Sequence, residues 1–171
     1  MSFKNETYDR AMKKLKLYLD TSVVSHLDAP DTPEKMADTL AFWEDLKVGK
    51  YDIVVSDVVI EEIKRCKEPK RTLMGTKIAE VKPSVVEKNQ EATELANEYV
   101  KKHVLSQKSF DDCVHIALSV INHCDYLVSW NFRHLVNVHT LTGVKVVNAL
   151  NNYQEIFIVS PNMLIYKEDN L

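Results

Sequence analysis

Glycine and proline are scarce in this chain, with three and five of its 171 residues. That scarcity argues against collagen-like, linker-rich and many-turn all-β proteins. Cysteine is sparse as well. Cys66, Cys113 and Cys124 form no CxxC pair and are odd in number, which argues against a secreted disulfide framework. No apolar run approaches the roughly 18–20 residues that a membrane span needs. A surplus of one charge is missing too, since 22 basic residues against 25 acidic ones leave a net charge of −3. Bulk charge therefore marks no duplex-wrapping or membrane-surface partner, although a local basic patch can still hold nucleic acid. The glycine patterns of P-loop and dinucleotide sites are absent, and with them the support for nucleotide-driven chemistry. The histidines form neither HxxxH nor HExxH, and the Cys113/His115 and His123/Cys124 pairs lack structural-zinc spacing.

What is present is a chain that can bury a full core, with 45% hydrophobic residues and a length suited to one domain. Residues 1–14, MSFKNETYDRAMKK, contain no apolar leader-like stretch and read as a polar lead-in to a single domain over 15–171. The expected location is the cytoplasm. Short apolar strands are expected at 15–20, 51–56, 125–130 and 155–161. Helices are expected at 21–27, from Pro33 to a stop at Gly49, at 57–67, from 110 to 121 and at 144–152, with a short helical piece at 131–138. The stretch 69–104 is helical in composition, and Ser84-x-x-Glu87 fits a capping box inside it. Strands alternating with helices predict an α/β fold, a three-layer α/β/α sandwich around a mostly parallel sheet.

In open parallel sheets, ligands sit beyond the carboxyl ends of the strands. Asp20 ends the first strand, Glu61 and Glu62 follow the second, Asp111 and Asp112 open a helix, and Asn131 follows the third strand. A helical wheel places Glu62 on the shoulder of the buried stripe Val59–Ile63–Cys66 and turns Glu61 away. The same wheel sets Asp112, His115 and Ser119 opposite the Phe110–Ala117–Ile121 core face. Bland readings compete: Asp112 as an acid in a cap with Ser109, Asp20 as a turn residue, Asn131 as the cap of its own helix. Carboxylates that converge repel one another and stay ionised around a divalent ion; oxygen ligands suit Mg²⁺ or Mn²⁺ rather than zinc.

These segments, LYLDTSVVSHL (17–27), IVVSDVVIEEI (53–63), DDCVHIALSVINHCDYLVSWNFRHL (111–135) and EIFIVSP (155–161), resemble the PIN-domain ribonucleases known as VapC toxins of bacterial toxin–antitoxin pairs. The match implies Asp20, Glu62 and Asp112 as acidic site residues, with Asn131 at the fourth position where the family has an acid or an amide. Thr21 and Ser22 would orient Asp20 or a water on the metal. The resemblance further implies cleavage of single-stranded RNA with Mg²⁺ or Mn²⁺, an antitoxin partner and a homodimer. A carboxylate-held cation suits phosphodiester hydrolysis, because it activates water and offsets charge on the phosphate. The alternative is a PIN-like scaffold that binds RNA or protein without cutting. Lys64, Arg65, Lys67, Lys70, Arg71 and Lys77 form a basic run that either tracks an RNA backbone or is a solvated helix surface. Trp43 and Trp130 read as core or interface anchors.

Overall fold

The computed structural model describes residues 13–166. Apart from Lys13 and Lys14, the lead-in assigned to residues 1–14 lies outside them. Five strands form one all-parallel sheet: β1 (Lys16–Leu19), β2 (Asp52–Ser56), β3 (Ser84–Val86), β4 (Tyr126–Val128) and β5 (Phe157–Val159). Their order across the sheet is β3-β2-β1-β4-β5. Among the described residues seven α-helices cover it: α1 (Thr21–Ser25), α2 (Pro33–Lys47), α3 (Asp57–Lys64), α4 (Lys70–Val81), α5 (Gln90–Lys101), α6 (Phe110–Ile121) and α7 (Val138–Leu150). Helices α1 to α4 pack among themselves, and α5 packs on α6 and α7, so the sheet lies between two helical layers. The expected three-layer α/β/α sandwich is the fold observed.

The central strands are buried on both faces, as parallel strands between helices must be. Leu17, Tyr18, Leu19, Val55, Leu127 and Val128 have no exposed surface. Phe42, Trp43 and Leu46 bring α2 onto the core, and Leu95, Tyr99, Ile116 and Leu118 bring α5 and α6. Gly49 adopts a left-handed φ of 75° just past α2, where an L side chain would be strained.

Three local expectations are corrected. Ser84 does not cap a helix; it opens β3, and the cap of α5 is Asn89, whose side chain accepts from Ala92 N at 2.9 Å. Helix α7 begins at Val138 rather than 144, capped by Asn137, and residues 131–137 form a turn. On α6, His115 and Ser119 are buried at 2% and 0% exposure, because this helix is enclosed nearly all round.

Topology fixes where a site can form. From β1 the chain winds outward through β2 to β3, then returns to lay β4 and β5 on the other flank of β1. The crevice between the carboxyl ends of β1 and β4 is thus the switch point of the sheet. Leu19 pairs with Val128 there, and Asp20 N donates to Val128 O at 3.1 Å.

Candidate active site

Asp20 leaves β1 with extended backbone and caps α1, its Oδ1 accepting from Ser22 N. It is only 7% exposed, a costly place for a carboxylate without donors. Two hydroxyls supply them: Ser22 Oγ at 2.8 Å and Ser129 Oγ at 2.5 Å, both on Oδ2. Ser129 follows β4, so this carboxylate ties the two halves of the sheet together. Ser22 Oγ also accepts from Trp130 N at 2.9 Å.

Glu62 sits on α3 and reaches inward, whereas Glu61 points outward and pairs with Lys64 at 2.7 Å. The wheel had this register right. Glu62 accepts from the Thr21 hydroxyl and from His115 Nε2, the latter at 3.2 Å. Thr21 therefore orients Glu62, and Ser22 orients Asp20. Behind Glu62 runs a buried relay: His115 Nδ1 lies 2.8 Å from the Tyr18 hydroxyl, which lies 2.6 Å from Ser56 Oγ. An ionised carboxylate only accepts, so Nε2 carries the proton toward Glu62; in a neutral ring Nδ1 then accepts from Tyr18. Burial pushes the Glu62 carboxyl up, but the His115 hydrogen bond and charge and the Thr21 hydroxyl outweigh it, leaving the group below its ordinary range.

Asp112 stands in the first turn of α6. Ser109 makes no side-chain cap there, so the capping-box reading does not hold. Instead, Oδ1 accepts from Asn131 Nδ2 at 3.2 Å and Oδ2 faces His134 Nδ1 at 2.8 Å. Burial raises the Asp112 carboxyl most, and the negative charge of Asp20 adds to it, against the pull of His134. The network is continuous, for Ser129 Oγ also accepts from Asn131 N at 2.9 Å. Asn131 uses both ends of its amide internally, since Oδ1 accepts from His134 N at 3.0 Å. It fixes Asp112 and the turn.

The structure thus brings Asp20 and Glu62 together at the switch point, and links Asp112 to Asp20 through Asn131 and Ser129. One ligand atom each from Asp20, Glu62 and His115 lie within 4.8 Å of one another. Asp112 lies beyond that group and is coupled to Asp20 through charge. Among the described residues, no lysine or arginine forms an ion pair with these three carboxylates; the side chains within ion-pair distance are His115 on Glu62 and His134 on Asp112. Such a set fits a divalent cation that prefers oxygen, with Asp20 and Glu62 holding it and Asp112 completing the charge. Both nitrogens of His115 are already hydrogen-bonded, so its place is behind Glu62.

Solved structures share this architecture. VapC20 of Mycobacterium tuberculosis, a sarcin-ricin loop cleaving toxin, aligns over 69% of this chain and 92% of its own, with a TM-score of 0.55 and 16% identity. A chain of VapBC2 from Rickettsia felis, solved bound to a DNA fragment from their promoter, aligns over 85% and 98%, with a TM-score of 0.53 and 12% identity. This is the PIN fold of the VapC proteins. No protein-family model and no curated protein matches the sequence.

Within the PIN fold, the basic run divides. Lys64 and Lys77 pair with Glu61 and Glu80 on their own helices, Arg71 pairs with Glu68 in the turn before α4, and Lys70 Nζ donates to Asp28 O. These are features of a solvated surface. Arg65 differs, because it lines a cleft of about 210 Å³ with Glu62, Asp111 and Lys88. Sequence reasoning missed Lys88 and His134. The signal for His134 was available: it stands three residues after Asn131, the spacing at which an Asn side chain caps a following backbone N–H.

Proposed function

We propose that residues 15–171 form one PIN-like domain acting as a Mg²⁺- or Mn²⁺-dependent endoribonuclease on single-stranded RNA. The observation that supports it is the approach of Asp20 and Glu62 at the switch point, with Asp112 tied to Asp20 through Asn131 and Ser129 and, among the described residues, no lysine or arginine ion pair on any of the three. A divalent ion held there would activate water and offset charge on the scissile phosphate. The chain's own groups do the rest. Ser22 and Ser129 keep Asp20 aimed, His115 and Thr21 keep Glu62 ionised and fixed, and His134 with Asn131 orients Asp112. A toxin role, an antitoxin protein as partner, a homodimer and a cytoplasmic location belong to the same reading, supported by the likeness to VapC20 and VapBC2. Among the described residues no helix is long and apolar enough to cross a membrane.

The test is cleavage of single-stranded and stem-loop RNA by the purified protein with Mn²⁺ or Mg²⁺. EDTA should abolish it, and Asp20→Asn or Asp112→Asn should slow it at least ~10²-fold, the scale for loss of a preorganised electrostatic group. Glu62→Gln should cost about as much, since Glu62 stands with Asp20 around the ion, and Glu61→Gln almost nothing. Cleavage that survives EDTA would refute the mechanism. Metal binding by all three carboxylates with no RNA cut would favour the non-catalytic scaffold.

A further inference from the structure

The turn after β4 carries an aromatic cluster that the acid site does not use. The Trp130 ring is 5% exposed, and its Nε1 donates to the buried Thr39 Oγ1 at 2.8 Å. It is a fixed wall. The Phe132 ring meets it edge-on, with centroids 6.0 Å apart and planes at 67°, and His26 lies against its indole at 5.8 Å. Lys35 Nζ sits 5.6 Å from the Trp130 centroid and 5.2 Å from that of Phe132. Despite these neighbours, Phe132 keeps 45% of its surface open.

Position makes this exposure informative. Phe132 follows Asn131, whose amide holds Asp112, and Trp130 N donates to the same Ser22 hydroxyl that holds Asp20. A braced aromatic ring therefore follows directly, along the chain, the two residues bonded to Asp112 and to Ser22, and stands next to the flexible ammonium of Lys35. Aromatic faces stack any nucleobase, and a cation beside them draws the phosphate backbone toward a rim that is otherwise acidic.

We propose that Phe132, propped by Trp130 and flanked by Lys35, is the platform on which the nucleobase next to the scissile phosphate stacks. The proposal rests on the ribonuclease reading above and adds to it where the strand lies and which side chain grips a base. Recognition by a π-face is tolerant of sequence, so this subsite sets position along the strand more than identity of the base.

The experiment measures equilibrium binding in Mg²⁺, in an Asp20→Asn background, of two fluorescent six-unit probes: oligoadenylate and an abasic ribose-phosphate oligomer. Phe132→Ala and Phe132→Leu should each weaken oligoadenylate binding by about 5-fold or more, the scale of one stacked base, and leave the abasic probe unchanged. Phe132→Trp should restore binding. Phe132→Leu keeps apolar mass against Trp130, so a folding defect does not explain its loss, and thermal unfolding by circular dichroism checks this. Lys35→Gln should flatten the salt dependence for both probes. Unchanged binding in Phe132→Ala, equal losses on both probes, or no binding of oligoadenylate by the Phe132 protein would overturn the platform. So would a sedimentation shift from dimer to monomer with RNA binding intact, which would make the ring a protein contact. The ribonuclease reading is judged separately, by cleavage with native chain against Asp20→Asn.

Discussion

His134 Nδ1 lies 2.8 Å from Asp112 Oδ2, on a turn whose geometry is set by the side chain of Asn131. Asp112 is pushed up by burial and by Asp20, and His134 opposes that push. Replacing His134 by Ala should therefore lower Mn²⁺ affinity by roughly 10-fold or more, the range for partners that orient a metal ligand. Isothermal titration with Mn²⁺ reads this directly. Unchanged affinity would mean that Asp112 needs no orienting partner.

The relay behind Glu62 gives a second expectation. Tyr18→Phe leaves His115 Nδ1 and Ser56 without their shared hydroxyl in a fully buried place. Unsatisfied buried polar groups cost about 1–3 kcal/mol, so urea unfolding should show a loss of that order. Metal affinity should fall with it, because His115 then holds Glu62 less firmly.

Cysteine chemistry offers a pH test. Burial pushes the Cys113 and Cys124 thiols up to about 12, and both side chains have no exposed surface. Thiol reagent at pH 8 should modify Cys66 alone in the folded protein and all three residues in urea. The folded thiols hold their protons above the pH where unfolded ones, near about 8.5, release them. The unfolded state therefore binds fewer protons, and stability should fall as pH rises from about 8.5 toward 12. An unfolding free energy flat across that window would contradict these two shifts.

Gly143 lies in mid-helix, where glycine is about 1 kcal/mol worse than alanine. A Cβ there would sit 2.9 Å from Val104 Cγ2, 3.0 Å from Cγ1 and 3.3 Å from Cβ. Overpacking of this kind costs roughly 1–3 kcal/mol, so Gly143→Ala should destabilise the protein despite its better propensity. Adding Val104→Ala should recover part of the loss, a coupling that a double-mutant cycle measures.

The same glycine explains one misreading of the sequence. Helix α7 runs through Gly143 from Val138 rather than from 144, and the close approach of Val104 that keeps a glycine in mid-helix is invisible from sequence. Strand β3 was hidden for another reason. It has three residues at the sheet edge, with Val85 58% exposed, too few to show a period of two. By contrast the central strands, buried on both faces, read as plain apolar runs; Asp20 and Glu62 are legible because each interrupts an apolar pattern just after a strand, whereas Asp112 opens a helix and is marked by the resemblance. The wheel separated Glu61 from Glu62 because α3 has one wet face. It failed for His115 because α6 is enclosed, and a buried histidine there is affordable only with Tyr18 and Glu62 on its two nitrogens. Those partners come from 97 and 53 residues away, beyond any local pattern.

Asp20 and Ser129, bonded at the switch point, are 109 residues apart. On the ribosome, Asp20 and Glu62 are made long before Asp112, β4 and His134 exist to complete their surroundings. Strand β1 has only β2 to pair with until then, and the crevice has one wall. Translation therefore delays the assembled centre until most of the chain has emerged, and no earlier nascent fragment carries it.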